Sequence, residues 1–262
     1  MKVAVIQTSS TPDFQENYSF VKEHLEKAKI EGAELAILPE CVMCWAKSDV
    51  TKQKAKTLQE WQESLKKLTG QYNMHTVWGG LQVKENDKIY NTALTFSDKG
   101  DLISKYEKTH LFQLFIKDKV TVDETETYEF GRTGPVTFEI NGLKIGLSIC
   151  YDIRFPELYL KYTGVDAIIC TAAFTKKTGR AHWETLLRAR AIENQCYVLA
   201  AGQCGINKLN GIQTWGHSMI IDSWGKVLKD ADKEAGIIIA EIDKGKIDSD
   251  RKLLPALKNK RL

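Results

Sequence analysis

The order of apolar and polar positions predicts alternating strands and helices in the first part of the chain. Residues 3–7 form a short β-like run, and after Pro12 apolar residues recur at helical spacing until Gly32. Residues 35–38 are a second apolar run of strand length, which stops abruptly at Pro39-Glu40. The first 40 residues are therefore predicted to form a strand, a helix and a second strand.

The next hundred residues carry a helix pattern and then strand patterns. Apolar residues recur at helical spacing over residues 58–70, which end at Gly70. Residues 76–83, 89–96 and 102–105 are β-rich and are separated by polar turns, which predicts an antiparallel meander. The acidic stretch 123–131 lacks a clear period and is predicted to be a loop.

The second half continues with a hairpin and then returns to strand–helix alternation. Asn141-Gly142 is a strong hairpin turn between residues 136–140 and 143–149. The further predictions are helices near 157–162 and 181–194, strands at 167–170 and 197–201, and closing antiparallel runs at 217–222, 227–228 and 236–242. Because no repeat or linker divides the chain, we expect one domain over residues 1–262, an α/β sandwich with mixed sheets.

Composition narrows the classes of partner. Hydrophobic residues make up 43% of the chain and leave ample material for a core. The formal charge of +3 comes without a long basic run, so nothing indicates nucleic-acid binding. No stretch resembles a signal peptide or a membrane span, and the six cysteines are spaced irregularly, as reduced thiols are. We therefore expect a cytoplasmic protein whose partner is a small molecule or another protein.

Cys150 stands where an apolar strand changes into a charged turn. Residues 145–149 are predicted to be buried, and Asp152, Arg154 and Glu157 follow within seven residues of the thiol. A cysteine in an apolar strand is more often a small core residue than a nucleophile. The charge density after the strand nevertheless favours a functional thiol, because catalytic groups tend to lie on turns just past buried strands.

A catalytic thiol needs a neighbouring group that removes its proton or stabilises its thiolate. His110, His182 and His217 are possible partners. Glu40, at the end of a strand, and Lys108, in an irregular charged segment, offer a second pairing of base and oxyanion donor, although glutamates and lysines are mostly solvated surface residues. Sequence spacing leaves both pairings open.

Cys41 and Cys44 have the spacing of a redox or zinc pair. No second closely spaced pair of cysteines or histidines completes a set of four ligands, so we expect no metal. A thiol oxidoreductase that uses this pair is also disfavoured, because the chain has neither the size nor the element order of a thioredoxin-like protein.

Three motifs together resemble the nitrilase superfamily of carbon–nitrogen hydrolases. They are Leu-Pro-Glu ending at Glu40, Tyr-Glu-Lys-Thr-His-Leu-Phe containing Lys108, and Ser-Ile-Cys-Tyr-Asp-Ile-Arg-Phe-Pro-Glu containing Cys150. The resemblance implies Glu40 as general base, Lys108 as oxyanion donor and Cys150 as nucleophile. It also implies Glu124 as a second glutamate that positions the lysine, although Phe130 stands where the family usually has proline before the glycine.

The resemblance further implies a four-layer αββα sandwich and a homodimer formed through helices near the nucleophile. The implied reaction is hydrolysis of a linear amide through a thioester on Cys150, with the backbone N–H of Tyr151 assisting Lys108, and it needs no metal or organic cofactor. A nitrilase is the closest alternative, since the same thiolate attacks either carbon. A catalytically silent member that serves as an interaction partner is the non-enzymatic alternative, which the intact triad disfavours.

Residues 173–193 indicate the substrate class. Phe174, Thr175 and the amino terminus of the following helix come after a strand end and are expected to line the site. The segment resembles the family branch that hydrolyses deaminated glutathione more than the ω-amidase branch that acts on 2-oxoglutaramate, where asparagine commonly replaces Thr175. Both substrates are 2-oxo acids, so a cation is expected at the pocket, either Arg154 or Arg180. Arg154 is equally interpretable as a structural partner of Glu157 or Asp152.

Overall fold

Two β-sheets lie face to face, and helices cover the outer face of each. The computed structural model describes residues 1–116, 119–207 and 211–261. The strands in this part of the chain are β1 (Lys2–Gln7), β2 (Leu35–Leu38), β3 (Lys56–Thr57), β4 (His75–Glu85), β5 (Lys88–Phe96), β6 (Leu102–Glu107), β7 (Gln113–Ile116), β8 (Lys119–Asp123), β9 (Thr137–Ile140), β10 (Leu143–Ile149), β11 (Ala167–Ala172), β12 (Tyr197–Gly202), β13 (Met219–Ile221), β14 (Val227–Asp230) and β15 (Gly236–Glu241). The helices are α1 (Phe14–Ile30), α2 (Ser48–Lys54), α3 (Leu58–Gly70), α4 (Pro156–Leu160), α5 (Lys176–Asn194), α6 (Lys244–Leu253) and α7 (Ala256–Asn259).

The alternation of side chains along β1 shows how the layers are separated. Val3 and Val5 belong to the core between the two sheets, whereas Ala4 and Ile6 pack toward helices α1 and α3. Successive side chains of a strand point to opposite faces, so a strand buried on both sides is apolar at every position. This explains why the strand patterns in the sequence are continuous apolar runs.

The first sheet has the order β15–β1–β2–β4–β5–β6, and β3 pairs with β4 beside this path. Strands β1, β2 and β4 run parallel, whereas β4, β5 and β6 form an antiparallel meander. The predicted meander is thus confirmed. Helices α1 and α3 cover the outer face of this sheet, with Val21, Leu25, Trp61 and Leu65 fully or almost fully buried.

The second sheet has the order β14–β13–β12–β11–β10–β9, with β10, β11 and β12 parallel. The predicted hairpin joins β9 to β10, and its two turn residues, Asn141 and Gly142, both have positive φ angles of 50° and 75°. Helices α4 and α5 lie on the outer face, where Trp183 and Leu187 enter the core. The predicted four-layer αββα sandwich is confirmed.

Several predicted boundaries were wrong. Helix α5 begins at Lys176 and not at residue 181, and it includes Gly179, a poor helix former that weakens the helical pattern in the sequence. Glycine is required there because a Cβ would lie 2.3 Å from Cβ of Trp215. The strand predicted at 217–222 is reduced to β13, because His217 adopts a φ of 52°. The acidic loop predicted from residue 123 opens with a 3-10 turn over Glu124–Glu126.

Elements with weak hydrophobic patterns were not predicted at all. These are α2, β3, the β7–β8 hairpin and the carboxyl-terminal helices α6 and α7. In the described part of the chain, no helix has both the length and the apolar character that crossing a membrane requires.

Candidate active site

Three strands from the two sheets end close together and deliver the predicted triad. Glu40 follows β2 after Pro39, Lys108 follows β6 directly, and Cys150 follows β10 directly. All three side chains are buried, with 2% of Glu40, 1% of Lys108 and 7% of Cys150 exposed. Because the two sheets pack face to face, residues that are far apart in sequence come together at this point.

Lys108 lies between two carboxylates. Its Nζ donates to Oε1 of Glu40 at 2.8 Å and to both carboxylate oxygens of Glu124 at 2.9 and 2.7 Å. Glu124 also accepts from the backbone N–H of Phe112 at 2.6 Å, which fixes the carboxylate in place. The arrangement matches the positioning role that the family resemblance implied for Glu124.

Glu40 is held from both sheets. Its Oε1 accepts from Nδ2 of Asn91 at 2.8 Å, and its Oε2 accepts from the backbone N–H of Ala173 at 2.9 Å. Its backbone carbonyl accepts from Nε2 of Gln203 at 2.9 Å. With Lys108, these partners leave the carboxylate little freedom to rotate, which preorganises it beside Cys150.

Cys150 combines an unusual backbone with a protonated thiol. It opens a 3-10 turn, Cys150–Arg154, with a φ of 49°, a left-handed conformation that non-glycine residues rarely adopt and that recurs at functional sites. Burial raises the pKa of the Cys150 thiol well above its ordinary value of 9.0, and the charge of Glu40 raises it further, while Lys108 acts in the opposite direction. The free site therefore holds a thiol and needs a base to generate the nucleophile.

The cluster also shifts the pKa values of its other members. Burial alone lowers the pKa of Lys108, but Glu124 and Glu40 outweigh it and raise that pKa well above its ordinary value. Burial raises the pKa of Glu124, and Glu40 adds to the shift, while Lys108 opposes it. Lys108 therefore stays a cation at neutral pH.

Asp152 holds the segments that carry Lys108 and Cys150 in place. This fully buried carboxylate accepts from the hydroxyl of Tyr106 at 2.7 Å and from the backbone N–H groups of His110 and Ile149, both at 3.0 Å. It thereby joins the residues on either side of Lys108 to the residue before Cys150. Asp152 is therefore a positioning residue.

The histidine alternatives find other partners. Nδ1 of His110 pairs with Asp152 at 2.8 Å, His182 contacts Arg154 at 3.3 Å, and His217 pairs with Asp230 at 3.0 Å. The charged groups that act on the pKa of Cys150 are Glu40, Lys108 and Glu124. Of the two pairings that the sequence left open, the geometry thus favours glutamate and lysine over histidine.

A cavity of about 750 Å³ opens over the cluster. Its floor contains Glu40, Glu124 and Cys150, and its walls come from α2 with the residues before it, from the 122–128 segment, and from Ala173, Thr175 and Ile212. Cys41 and Cys44 also line it as free thiols. Within the described residues no group of three or more histidine, cysteine or acidic side chains is arranged to hold a metal.

The residues predicted to bind substrate line a smaller compartment on the other side of Cys150. Tyr151, Arg154, Phe174 and Thr175 all contribute to it, and Thr175 also borders the larger cavity. The Arg154 guanidinium lies 5.2 Å from the ring centre of Phe174 and 5.9 Å from that of Tyr151.

The structure does not pair Arg154 with either carboxylate considered for it. Asp152 bonds to the groups described above, and Glu157 is exposed with no ion pair to Arg154 among the described residues. Arg180, the other candidate cation, is exposed on α5 and is not among the described residues that line either compartment.

Sequence reasoning missed several residues of the site. Asn91 and Gln203 lie inside or beside strands and carry no motif, and Ala173 acts through its backbone. Tyr128, which lines the cavity, falls in the acidic stretch that lacked periodicity. The sequence did contain one signal for Asn91 and Gln203: an amide side chain in or next to an apolar strand needs a buried hydrogen-bond partner.

Known proteins resemble the chain over nearly its whole length. Residues 2–252 match the carbon-nitrogen hydrolase family. A Synechocystis sp. protein named deaminated glutathione amidase is 36% identical over 264 residues, which cover 98% of this chain and 97% of that protein.

Two solved structures share the fold. The Caenorhabditis elegans NitFhit protein superposes with a TM-score of 0.93 at 36% identity, covering 99% of this chain and 65% of that one. In the sequence comparison this chain spans 60% of that nitrilase and fragile histidine triad fusion protein. Saccharomyces cerevisiae Nit3, described as a member of branch 10 of the nitrilase superfamily, superposes with a TM-score of 0.87 at 32% identity, covering 100% of this chain and 97% of that one. The resemblance inferred from three short motifs is confirmed, and the chain belongs to the carbon–nitrogen hydrolase family.

Proposed function

We propose that the chain hydrolyses a small 2-oxo acid amide, with deaminated glutathione as its preferred substrate. The observation that carries the proposal is the buried cluster of Glu40, Lys108 and Cys150, in which Glu40 and Cys150 line a cavity and Lys108 is bound to Glu40. A volume of about 750 Å³ lies within the roughly 300–1,000 Å³ typical of cavities that enclose small ligands.

The first half of the reaction forms a thioester. Glu40 accepts the proton of the Cys150 thiol, and the sulfur attacks the amide carbon. The negative charge that develops on the carbonyl oxygen is stabilised by Lys108 and by the backbone N–H of Tyr151. Glu40 then gives its proton to the amide nitrogen, the C–N bond breaks, and the amine leaves.

The second half regenerates the enzyme. A water molecule gives a proton to Glu40 and attacks the thioester carbon, and the same oxyanion donors stabilise the second tetrahedral intermediate. The C–S bond breaks, the carboxylic acid is released, and Cys150 recovers its proton from Glu40. Every proton in this cycle moves through Glu40, and no step of it draws on a cofactor.

Two observations support a 2-oxo acid as the acyl group. The Synechocystis relative bears the name deaminated glutathione amidase. Arg154 lines the same compartment as Cys150, contacts no carboxylate among the described residues, and lies over the aromatic rings of Tyr151 and Phe174. A guanidinium in this setting is suited to bind a carboxylate.

A comparison of substrates tests the proposal. Deaminated glutathione and 2-oxoglutaramate both release 2-oxoglutarate, so one assay of this product gives kcat/KM for both, and ammonia release follows a simple aliphatic nitrile. We expect deaminated glutathione to be the best substrate and the nitrile the worst. Preference for 2-oxoglutaramate would indicate an ω-amidase, and preference for the nitrile would indicate a nitrilase. The Cys150→Ser variant serves as the inactive control.

Covalent trapping tests the nucleophile in the same preparation. Enzyme mixed with substrate and quenched rapidly should carry an acyl adduct on the peptide that contains Cys150. An adduct on Cys41 or Cys44 would contradict the assignment, and absence of turnover with every amide would favour the silent interaction partner.

We also infer a homodimer and a cytoplasmic location. Helices α4 and α5 leave apolar side chains exposed on the outer face, including Leu160 at 49% and Ile192 at 50%, and a second copy of this chain would cover them. The six cysteines are free, which suits a reducing compartment.

A further inference from the structure

Tyr128 lines the main cavity, and its hydroxyl is a donor that meets no acceptor among the described residues. Tyr128 lines this cavity together with Glu40, Glu124 and Cys150, and the side chain is only 9% exposed. Among the described residues its only hydrogen-bonding neighbour is Nε2 of Gln82, at 3.5 Å, and that nitrogen is the donor. The phenolic proton is therefore left for another group.

The position of the Gln82 amide explains why it does not take this proton. Its nitrogen also donates to the backbone carbonyls of Cys44 at 3.2 Å and Gly80 at 3.3 Å. Two carbonyl acceptors fix the nitrogen, and not the oxygen, on the side that faces Tyr128. Rotating the amide would place its oxygen against two carbonyl oxygens.

The surroundings keep Tyr128 protonated. Burial raises the pKa of Tyr128 well above its ordinary value, and the neighbouring Cys41 acts in the same direction. The acidic side chains of Glu124 and Glu40 add to the shift. A buried phenol that keeps its proton loses free energy if no acceptor meets it, so an acceptor supplied by a ligand would bind favourably here.

The charge of the cavity floor makes this donor useful. Glu40 and Glu124 contribute two carboxylates against the single ammonium of Lys108, so an anionic substrate meets net negative charge there. A neutral donor on the adjacent wall attracts a carbonyl or carboxylate oxygen without adding a charge that must be buried. Tyr128 in the main cavity therefore complements Arg154, which lines the smaller compartment, in orienting the substrate.

We propose that Tyr128 is a specificity-determining residue that donates a hydrogen bond to a carbonyl or carboxylate oxygen of the bound amide. The inference rests on the proposed amidase function of the same cavity. Tyr128 acts on binding and takes no part in the proton transfers of the Glu40 cycle.

The test uses Tyr128→Phe, which removes only the hydroxyl. We expect KM for deaminated glutathione to rise about ten-fold while kcat changes less than about three-fold, as for loss of one hydrogen bond made equally in ground state and transition state. The matched control is Tyr72→Phe, because the Tyr72 hydroxyl bonds the backbone carbonyl of Lys22 outside the cavity. The control should retain wild-type KM, and both variants should keep the wild-type melting temperature.

Binding measured without turnover separates this inference from the proposed function. In a Cys150→Ala background, calorimetry should show Kd for deaminated glutathione about ten-fold weaker when Tyr128→Phe is added. If deaminated glutathione binds in this background but the wild type does not hydrolyse it, the proposed function is wrong and the binding role of Tyr128 stands. An unchanged Kd and KM in Tyr128→Phe, or absence of any binding, would overturn the role of Tyr128.

A second substrate identifies the half of the molecule that Tyr128 contacts. An equal loss with 2-oxoglutaramate would place the contact on the acyl half that both substrates share. A loss confined to deaminated glutathione would place it on the departing dipeptide. Either result supports the inference.

Discussion

At the scale of single residues, the site depends on Lys108 being shared by two carboxylates, the buried Glu40 and the partly buried Glu124. Nζ of Lys108 lies 2.8 Å from Oε1 of Glu40 and 2.7 Å from Oε2 of Glu124. Removing one of these three side chains would leave a charge in the cluster uncompensated. A truncation in this cluster is therefore expected to change stability as well as chemistry, whereas a substitution that keeps size and polarity tests mainly the chemistry.

Glu40→Gln should lower kcat by about two to four orders of magnitude, because the amide keeps the shape of the carboxylate but cannot accept the thiol proton. Steady-state kinetics with the preferred amide checks this. Glu129→Gln is a suitable control, since Glu129 is an exposed carboxylate in the same stretch as Glu124. A Glu40→Gln rate near that of the wild type would show that another group is the base.

Lys108→Ala should lower kcat to a similar extent, because an oxyanion donor is lost. The variant should also be less stable by about 3 kcal/mol or more, since Glu40 and Glu124 then face each other without the cation. Urea unfolding measures the stability, and retained activity would contradict the oxyanion role.

The raised pKa of Cys150 predicts how its reactivity depends on pH. The thiolate is the reactive form, so below the pKa the thiolate fraction rises about ten-fold per pH unit. We expect the rate of iodoacetamide labelling at the Cys150 peptide of the free protein to rise throughout pH 6–9 without a plateau, consistent with a pKa well above 9.0. A plateau below pH 8 would indicate a preformed thiolate.

At the scale of elements, two adjacent glycines in β4 set the distance between the sheets and the position of Glu40. The register between β4 and β5 shifts between Trp78 and Leu81, which marks a bulge at Gly79 and Gly80. A Cβ on Gly79 would lie 2.4 Å from Thr171 in the opposite sheet. A Cβ on Gly80, whose φ is 59°, would lie 2.6 Å from Cγ of Glu40.

Gly80→Ala should therefore destabilise the protein by about 2–4 kcal/mol, from left-handed backbone strain and overpacking together, and should lower kcat by displacing Glu40. Gly142→Ala is the matched control. Gly142 has a φ of 75° but nothing within 4 Å of its added Cβ, so only the backbone cost of about 1 kcal/mol applies. Equal unfolding free energies and wild-type kcat in both variants would contradict the role of Gly80.

At the scale of the whole molecule, the outer layer of α4 and α5 carries exposed apolar side chains close to the nucleophile strand. Leu160 on α4 and Ile192 on α5 are about half exposed on the layer next to the nucleophile strand. Burial of such side chains stabilises an interface by roughly 25 cal/mol per Å² of apolar area. Association with a second copy of the chain through this layer would therefore be favourable. This is the surface on which the predicted homodimer depends.

Leu160→Glu and Ile192→Glu should each convert the dimer to a monomer at micromolar concentration, because a buried carboxylate would be left unpaired at the interface. Sedimentation velocity measures this. Ile30→Glu is the control, since Ile30 is 77% exposed at the end of α1 on the opposite outer layer. A wild-type protein that is monomeric and fully active would refute the dimer.

The sequence by itself determined much of the layering. Continuous apolar runs such as residues 35–38 identified strands that are buried on both faces, and Asn141-Gly142 identified a hairpin, because these properties depend on neighbouring residues alone. Three short motifs identified the family and named Glu40, Lys108 and Cys150. Short polar elements such as α2 escaped prediction, because tertiary contacts and not their own periodicity stabilise them.

Only the tertiary structure decided which groups surround Cys150. The sequence could not choose between a histidine and the Glu40–Lys108 pair, because the choice depends on which strand ends meet when the two sheets face each other. It also could not show that Ala173 donates its backbone N–H to Glu40, or that Tyr128 lines the cavity. These contacts join residues that are distant along the chain, and no local pattern records such distances.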